Sequence, residues 1–234
     1  MADYLTNEMD LILQEKQNAD TTWTNNDEME KSGYTIVRNL WDPEELYHPL
    51  PYDRGQTHYM GSIDKFNHIP VDPEIEGSYT RISYPQYQKI YTELRKKLEG
   101  IIGRKLSKTF YYDRFWFSGN QLKKHLGPPQ GEIMVVISIS TNLKRPWPFV
   151  IKTRDQYTDK NKTAILVPGT ESAINLEPGD GIIFKGCERP HWRDTFPEPK
   201  KRWFSKKEKE VFYHHDITFQ YVITDGQRSH IASA

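Results

Sequence analysis

One cysteine in 234 residues, Cys187, leaves no partner for an intrachain disulfide and no basis for a Cys-based zinc cluster, and it suits a reducing compartment. Net charge is as scarce. The 32 Lys and Arg are balanced by 32 Asp and Glu, so no bulk electrostatic pull toward nucleic acid or an anionic membrane exists. No apolar run approaches the roughly 20 residues that a membrane-spanning helix needs. The opening stretch Met1 to Asp10 is acidic and lacks the basic and apolar regions of an export signal. A soluble, unexported, cytoplasmic protein without membrane contact is the expectation, and the length suits one domain with a sizeable core.

What the chain does have is aromatic residues, at 13%, and many short strand-like segments. Phe110 to Phe117 (F-Y-Y-D-R-F-W-F) is aromatic enough to line a barrel, and alternation puts Tyr112, Arg114 and Trp116 on one side and Tyr111, Asp113, Phe115 and Phe117 on the other. After the turn Ser118-Gly119-Asn120, alternation resumes from Ile133 through Val135, Ile137 and Ile139. Shorter runs follow at Ile165 to Val167, Ile174 to Leu176 and Ile182 to Phe184, with a closing strand at Asp216 to Ile223. Helical signals lie only toward the N-terminus. Asp42-Pro43 starts one helix, and Ile90, Leu94, Leu98 and Ile101/Ile102 form the apolar stripe of another, predicted over Tyr84 to Ile102 and packed outside a sheet. The pattern predicts a mainly β domain with flanking helices, a double-stranded β-helix or jelly-roll (cupin-like) core spanning 31–234, preceded by a loosely attached polar arm over 1–30.

Two histidines stand out. His125 lies between two strand-like runs, and His191 follows 66 residues later, after the turn Pro178-Gly179-Asp180-Gly181 and the short strand Ile182 to Phe184. Histidines at the ends of two strands can meet across a small barrel. By contrast, His48, His58 and His68 sit in an aperiodic stretch over 47–80 and read as solvated, and His214 and His215 read as surface or rim residues.

These residues carry a resemblance. Gly119, Leu122, His125, Glu132 and Ile133, followed by Pro178, Gly179, Asp180, Phe184, Gly186, Glu188, His191, Trp192 and Arg193, resemble the ordered motifs of the Fe(II)/2-oxoglutarate-dependent oxygenases, prolyl-hydroxylase-like branch. The resemblance implies Fe(II) held by His125 and His191, 2-oxoglutarate as cosubstrate, O2 activation, and a small-molecule or peptidyl substrate. It implies an arginine clamp for the cosubstrate's far carboxylate. Arg193, inside the motif, is preferred over Arg202, which sits in the charged run K-K-R-W-F-S-K-K-E-K-E, and Tyr112 is a further candidate donor. That run, with Trp203 and Phe204 between lysines, is the one segment with a nucleic-acid flavour. Glu208 and Glu210 dilute it, and nucleic acid is not an expected partner.

One position departs from the family pattern. Two residues after His125, where the oxygenases carry Asp, this chain carries Gly127. A 2-His-1-carboxylate set leaves three metal positions open, and loss of the carboxylate opens a fourth. In the related iron/2-oxoglutarate halogenases that position is held by Gly or Ala and a chloride or bromide takes it, so the resemblance implies a halogenase-like site. Alternatives are hydroxylation, with water or Glu132 filling the vacancy, and an iron-free binding or structural module that keeps the fold.

Overall fold

The computed structural model describes residues 23–49, 68, 69, 75, 77–160, 163–198 and 211–232. Residues 1–22 of the expected arm, His58, Arg202 and the aromatic-containing basic run lie outside them. In chain order the elements are α1 (Asp27–Ser32), β1 (Tyr34–Val37), α2 (Pro43–Leu46), β2 (His68–Ile69), β3 (Tyr79–Ile82) and α3 (Gln88–Ile102). The remaining strands follow: β4 (Leu106–Phe117), β5 (Leu122–His125), β6 (Ile133–Thr141), β7 (Phe149–Lys152), β8 (Gln156–Lys160), β9 (Thr163–Val167), β10 (Glu171–Ile174), β11 (Gly181–Lys185), β12 (His191–Arg193) and β13 (Tyr213–Ile223).

Strands with apolar residues on alternate positions bury one face by packing against a second sheet. Here the larger sheet has the order β1-β11-β6-β13-β4-β3-β2 and the smaller one β10-β7-β12-β5, with β8 and β9 forming a separate hairpin. The fold is a double-stranded β-helix. Met134, Val136, Ile182 and Phe184 of the larger sheet meet Phe149, Ile151 and Ile174 of the smaller in one buried cluster, which is the barrel interior.

The opposite face of the larger sheet is covered by α3. Its stripe Ile90, Tyr91, Leu94, Leu98 and Ile102 is buried against Ile133, Val135, Ile137, Ile217, Phe219 and Tyr221. A fully buried leucine or isoleucine contributes about 1.5–3 kcal/mol through area removed from water, so this stripe outweighs the helix's modest length. The helix ends at Gly103, whose φ of 68° is left-handed and whose N–H caps the Glu99 carbonyl. The first turn of the predicted helix, Pro85–Tyr87, is a separate 3-10 turn. Pro43 begins α2 as predicted, with Asp42 as its N-cap accepting from the Glu44 N–H.

The part of the expected arm that is described is docked. Thr24 and Met29 are buried, Asn25 donates to the Ile102 carbonyl, and Asn26 both caps α1 and reaches the Ile101 carbonyl. The boundary drawn at residue 30 therefore falls inside a helix that packs on the end of α3.

Candidate metal centre

β5 ends and β12 begins at a histidine. Antiparallel pairing sets His125 opposite His191, and the two ring centroids are 4.3 Å apart. Directly opposed residues of an antiparallel pair share one sheet face, so this two-imidazole face follows from strand register. Each ring is aimed by its own chain: His125 Nδ1 donates to the Lys123 carbonyl and His191 Nδ1 to the Arg189 carbonyl, both at 2.9 Å. With the proton fixed on Nδ1, Nε2 carries the ring's lone pair, which is how metal-bound histidines are usually oriented.

The two rings differ in environment. His125 is half-buried. His191 is buried, stacks on Phe149 at 5.7 Å and meets Phe184 edge-on at 4.8 Å. Burial, and then the adjacent His125, hold His191 well below the usual imidazole range, so it is neutral at pH 7, as a ligand must be.

Gly127 does not border a gap. A Cβ built on it would lie 2.7 Å from Met134 Sδ and 3.1 Å from the Gly186 carbonyl oxygen. On the side where a Cβ would point, the atoms beside Gly127 are those of Met134 and Gly186. Glu132, the alternative third ligand, is fully buried but turned to other work: it accepts from the Ile223 N–H at 2.8 Å and pairs with Arg228 at 3.2 Å. Among the described residues no group of three His, Cys, Asp or Glu gathers at one point. Cys187 adds no thiolate, since burial pushes its thiol up to about 12 and it donates to the Pro128 carbonyl.

Arg193 projects into the barrel and is buried. Its Nη2 pairs with Asp216 at 2.9 Å and its Nη1 donates to the Trp147 carbonyl at 2.9 Å, while the guanidinium lies 4.5 Å from the Trp147 ring centroid. The preferred clamp is thus already holding a carboxylate of its own chain. Asp216 also accepts from Trp116 Nε1 at 3.0 Å, which identifies the Tyr112, Arg114 and Trp116 side of β4 as the inner face. Tyr112 is half-buried there and stacks on Phe110 at 6.0 Å.

The sequence predicts His214 and His215 as surface or rim residues. Both are buried, and alternation sends them to opposite faces of β13: His214 inward, 3.4 Å from Arg193 Nη2, and His215 outward onto Asp113. The sequence does not single out Asp216, which pairs with Arg193, or Met134, which packs against Gly127; the alternation of β13 carries a signal for the first, while nothing local marks Met134.

No protein-family model matches the chain, and no curated protein matches it in sequence. Solved structures do match in fold. A Burkholderia pseudomallei oxidoreductase of the 2OG-Fe(II) oxygenase family shares 12% identity at a TM-score of 0.52, over 85% of this chain and 89% of its own. The non-heme alpha ketoglutarate dependent epimerase SnoN from nogalamycin biosynthesis shares 8% at 0.52, over 82% and 78%. A Pseudomonas putida prolyl-4-hydroxylase shares 12% at 0.50, over 83% and 95%. The chain has the double-stranded β-helix seen in these 2-oxoglutarate oxygenases.

Proposed function

We propose that the protein is a non-haem iron oxidoreductase of the 2-oxoglutarate-dependent oxygenase type, with His125 and His191 as its iron ligands and a small-molecule or peptidyl substrate. One observation carries the reading: the two imidazoles face each other across paired strands with both Nδ1 atoms held by backbone carbonyls. That donor set fits a divalent transition metal. When bound, the iron supplies O2 activation for functionalising a C–H bond, and the chain supplies position and electrostatics. The backbone carbonyls of Lys123 and Arg189 fix the tautomers, and Phe149 and Phe184 keep the His191 side of the pair apolar.

The far carboxylate of 2-oxoglutarate does not find an unshared fork at Arg193, because Asp216 is already there. The space where a Cβ on residue 127 would point holds the Met134 sulfur and the Gly186 carbonyl, and turnover with chloride or bromide, read by mass spectrometry, separates halogenation from hydroxylation. A second reading, an iron-free module that keeps the fold, draws support from the lack of a third His, Cys, Asp or Glu near the pair among the described residues. Anaerobic titration with Fe(II) and 2-oxoglutarate separates the two. The oxygenase reading expects a weak visible charge-transfer band that saturates at one iron per chain and disappears in His191→Ala; absence of any band favours the module.

A further inference from the structure

We infer that Met134 is the residue that fixes the protein donor set of this site at two imidazoles, by filling the room a side chain at position 127 would require. The metal half of the inference rests on the proposed role of His125 and His191; the packing half does not.

Backbone conformation gives no reason for glycine at 127. Among the described residues the glycines with left-handed φ are Gly33, Gly77, Gly103, Gly119 and Gly179, and Gly127 is not one of them. Space is the reason. A Cβ at 127 would lie 2.7 Å from Met134 Sδ. The same side chain stands over two other glycines of ordinary φ: a Cβ at Gly131 would lie 2.8 Å from its Cγ, and one at Gly186 would collide with its Sδ as well as with the Gly131 carbonyl oxygen. Three glycines from two loops therefore form a cradle around one thioether.

Methionine is normally the most adaptable of core side chains, so its ability to step aside must be weighed. Met134 is buried, sits cross-strand from Phe184 and Gln220, and packs within the cluster that includes Phe149 and Phe184. Its loop-facing side is closed by the backbones of Gly131 and Gly186. Those loops are fastened to each other, Gly127 N–H donating to the Gly186 carbonyl at 2.8 Å and Gly186 N–H to the Glu132 carbonyl at 3.2 Å. An interior packed this densely does not absorb added atoms without strain. An aspartate at 127 would have to push the Met134 thioether aside and move the Gly186 carbonyl slightly, so Met134 is a positioning residue for the room at 127.

A double-mutant cycle tests this on the full chain. Gly127→Ala is expected to lower Tm by roughly 3–10 °C, and in a Met134→Val background the same substitution is expected to cost less than about a third of that. Anaerobic Co(II) binding, read by its visible ligand-field absorption, gives the second axis. Gly127→Asp alone should change affinity less than about threefold, whereas Gly127→Asp with Met134→Val should raise it at least about tenfold and alter the band shape as a carboxylate joins the imidazoles. Equal stability of Gly127→Ala and the parent, or a Gly127→Asp gain as large as that of the double variant, would overturn the inference. Failure of every variant to bind Co(II) would instead remove the two-histidine reading, while the stability cycle would still decide whether Met134 holds the space.

Discussion

β4 and β13 pair along most of their length, and their alternating side chains build two buried ionic clusters on opposite faces of one ribbon. On the outer face Asp113 receives Arg81 through Nε at 3.0 and 2.9 Å and through Nη2, with His215 Nε2 at 2.7 Å and the Tyr87 hydroxyl at 3.2 Å. Arg81 then reaches the His48 and Pro49 carbonyls and Tyr87 the Leu46 carbonyl, so the cluster staples the segment after α2 to the sheet. On the inner face Asp216 is shared by Arg193 and Trp116, with His214 beside the guanidinium. The outer carboxylate is saturated with donors in a closed structural network. The inner one is shared between the Arg193 guanidinium and the Trp116 indole N–H inside the barrel.

The largest effect should come from breaking the outer cluster. Asp113→Ala strands a fully buried arginine and is expected to cost about 3–5 kcal/mol in urea unfolding, with Co(II) affinity at His125 and His191 unchanged; a loss below about 1 kcal/mol would mean that the network does not anchor the sheet. Asp216→Asn is the inner counterpart. It keeps an acceptor for Trp116 and removes the charge facing Arg193, so stability should fall by only about 1–3 kcal/mol. Calorimetric titration should show 2-oxoglutarate binding more tightly to that variant, and weaker binding would assign Arg193 no part in holding a carboxylate.

Acid sharpens the comparison with the gentlest effect. Burial holds His214 well below the usual imidazole range and Arg193 adds to it, whereas for His215 burial is partly offset by Asp113. Both are neutral in the fold and can charge in the unfolded chain, so their stability is fully present above about pH 6.5 and falls as pH drops below it, by at most about 1.4 kcal/mol per pH unit for each histidine. For Asp113, burial pushes upward, but the His215 hydrogen bond and the Arg81 charge outweigh it and hold the carboxyl below the usual range. Its contribution is therefore lost only at lower pH, as the solution passes through that depressed value. Urea midpoints measured from pH 8 to 4 should decline from about 6.5 downward, and a flat profile would contradict the neutral buried histidines.

Much of this was legible in local pattern. Alternation along Phe110 to Phe117 and Ile133 to Ile139, the helical stripe from Ile90 to Ile102, and the turns before His191 each depend on neighbours within a few residues, and each became the element expected. The histidine pair was legible because both rings sit at strand ends. Pairing partners were not. Sequence spacing could not tell that His214 and His215 turn to opposite buried faces, that Glu132 belongs to Arg228, or that the far side of the Arg193 fork meets Asp216, since each depends on a strand distant in sequence.

Gly127 marks the boundary between the two kinds of knowledge. By itself the chain determined that no carboxylate follows His125 and that two strand-end imidazoles stand ready to converge. Only the folded barrel decided what packs against that glycine, because a glycine specifies an absence of atoms and the strand register of β6 brings Met134 beside it.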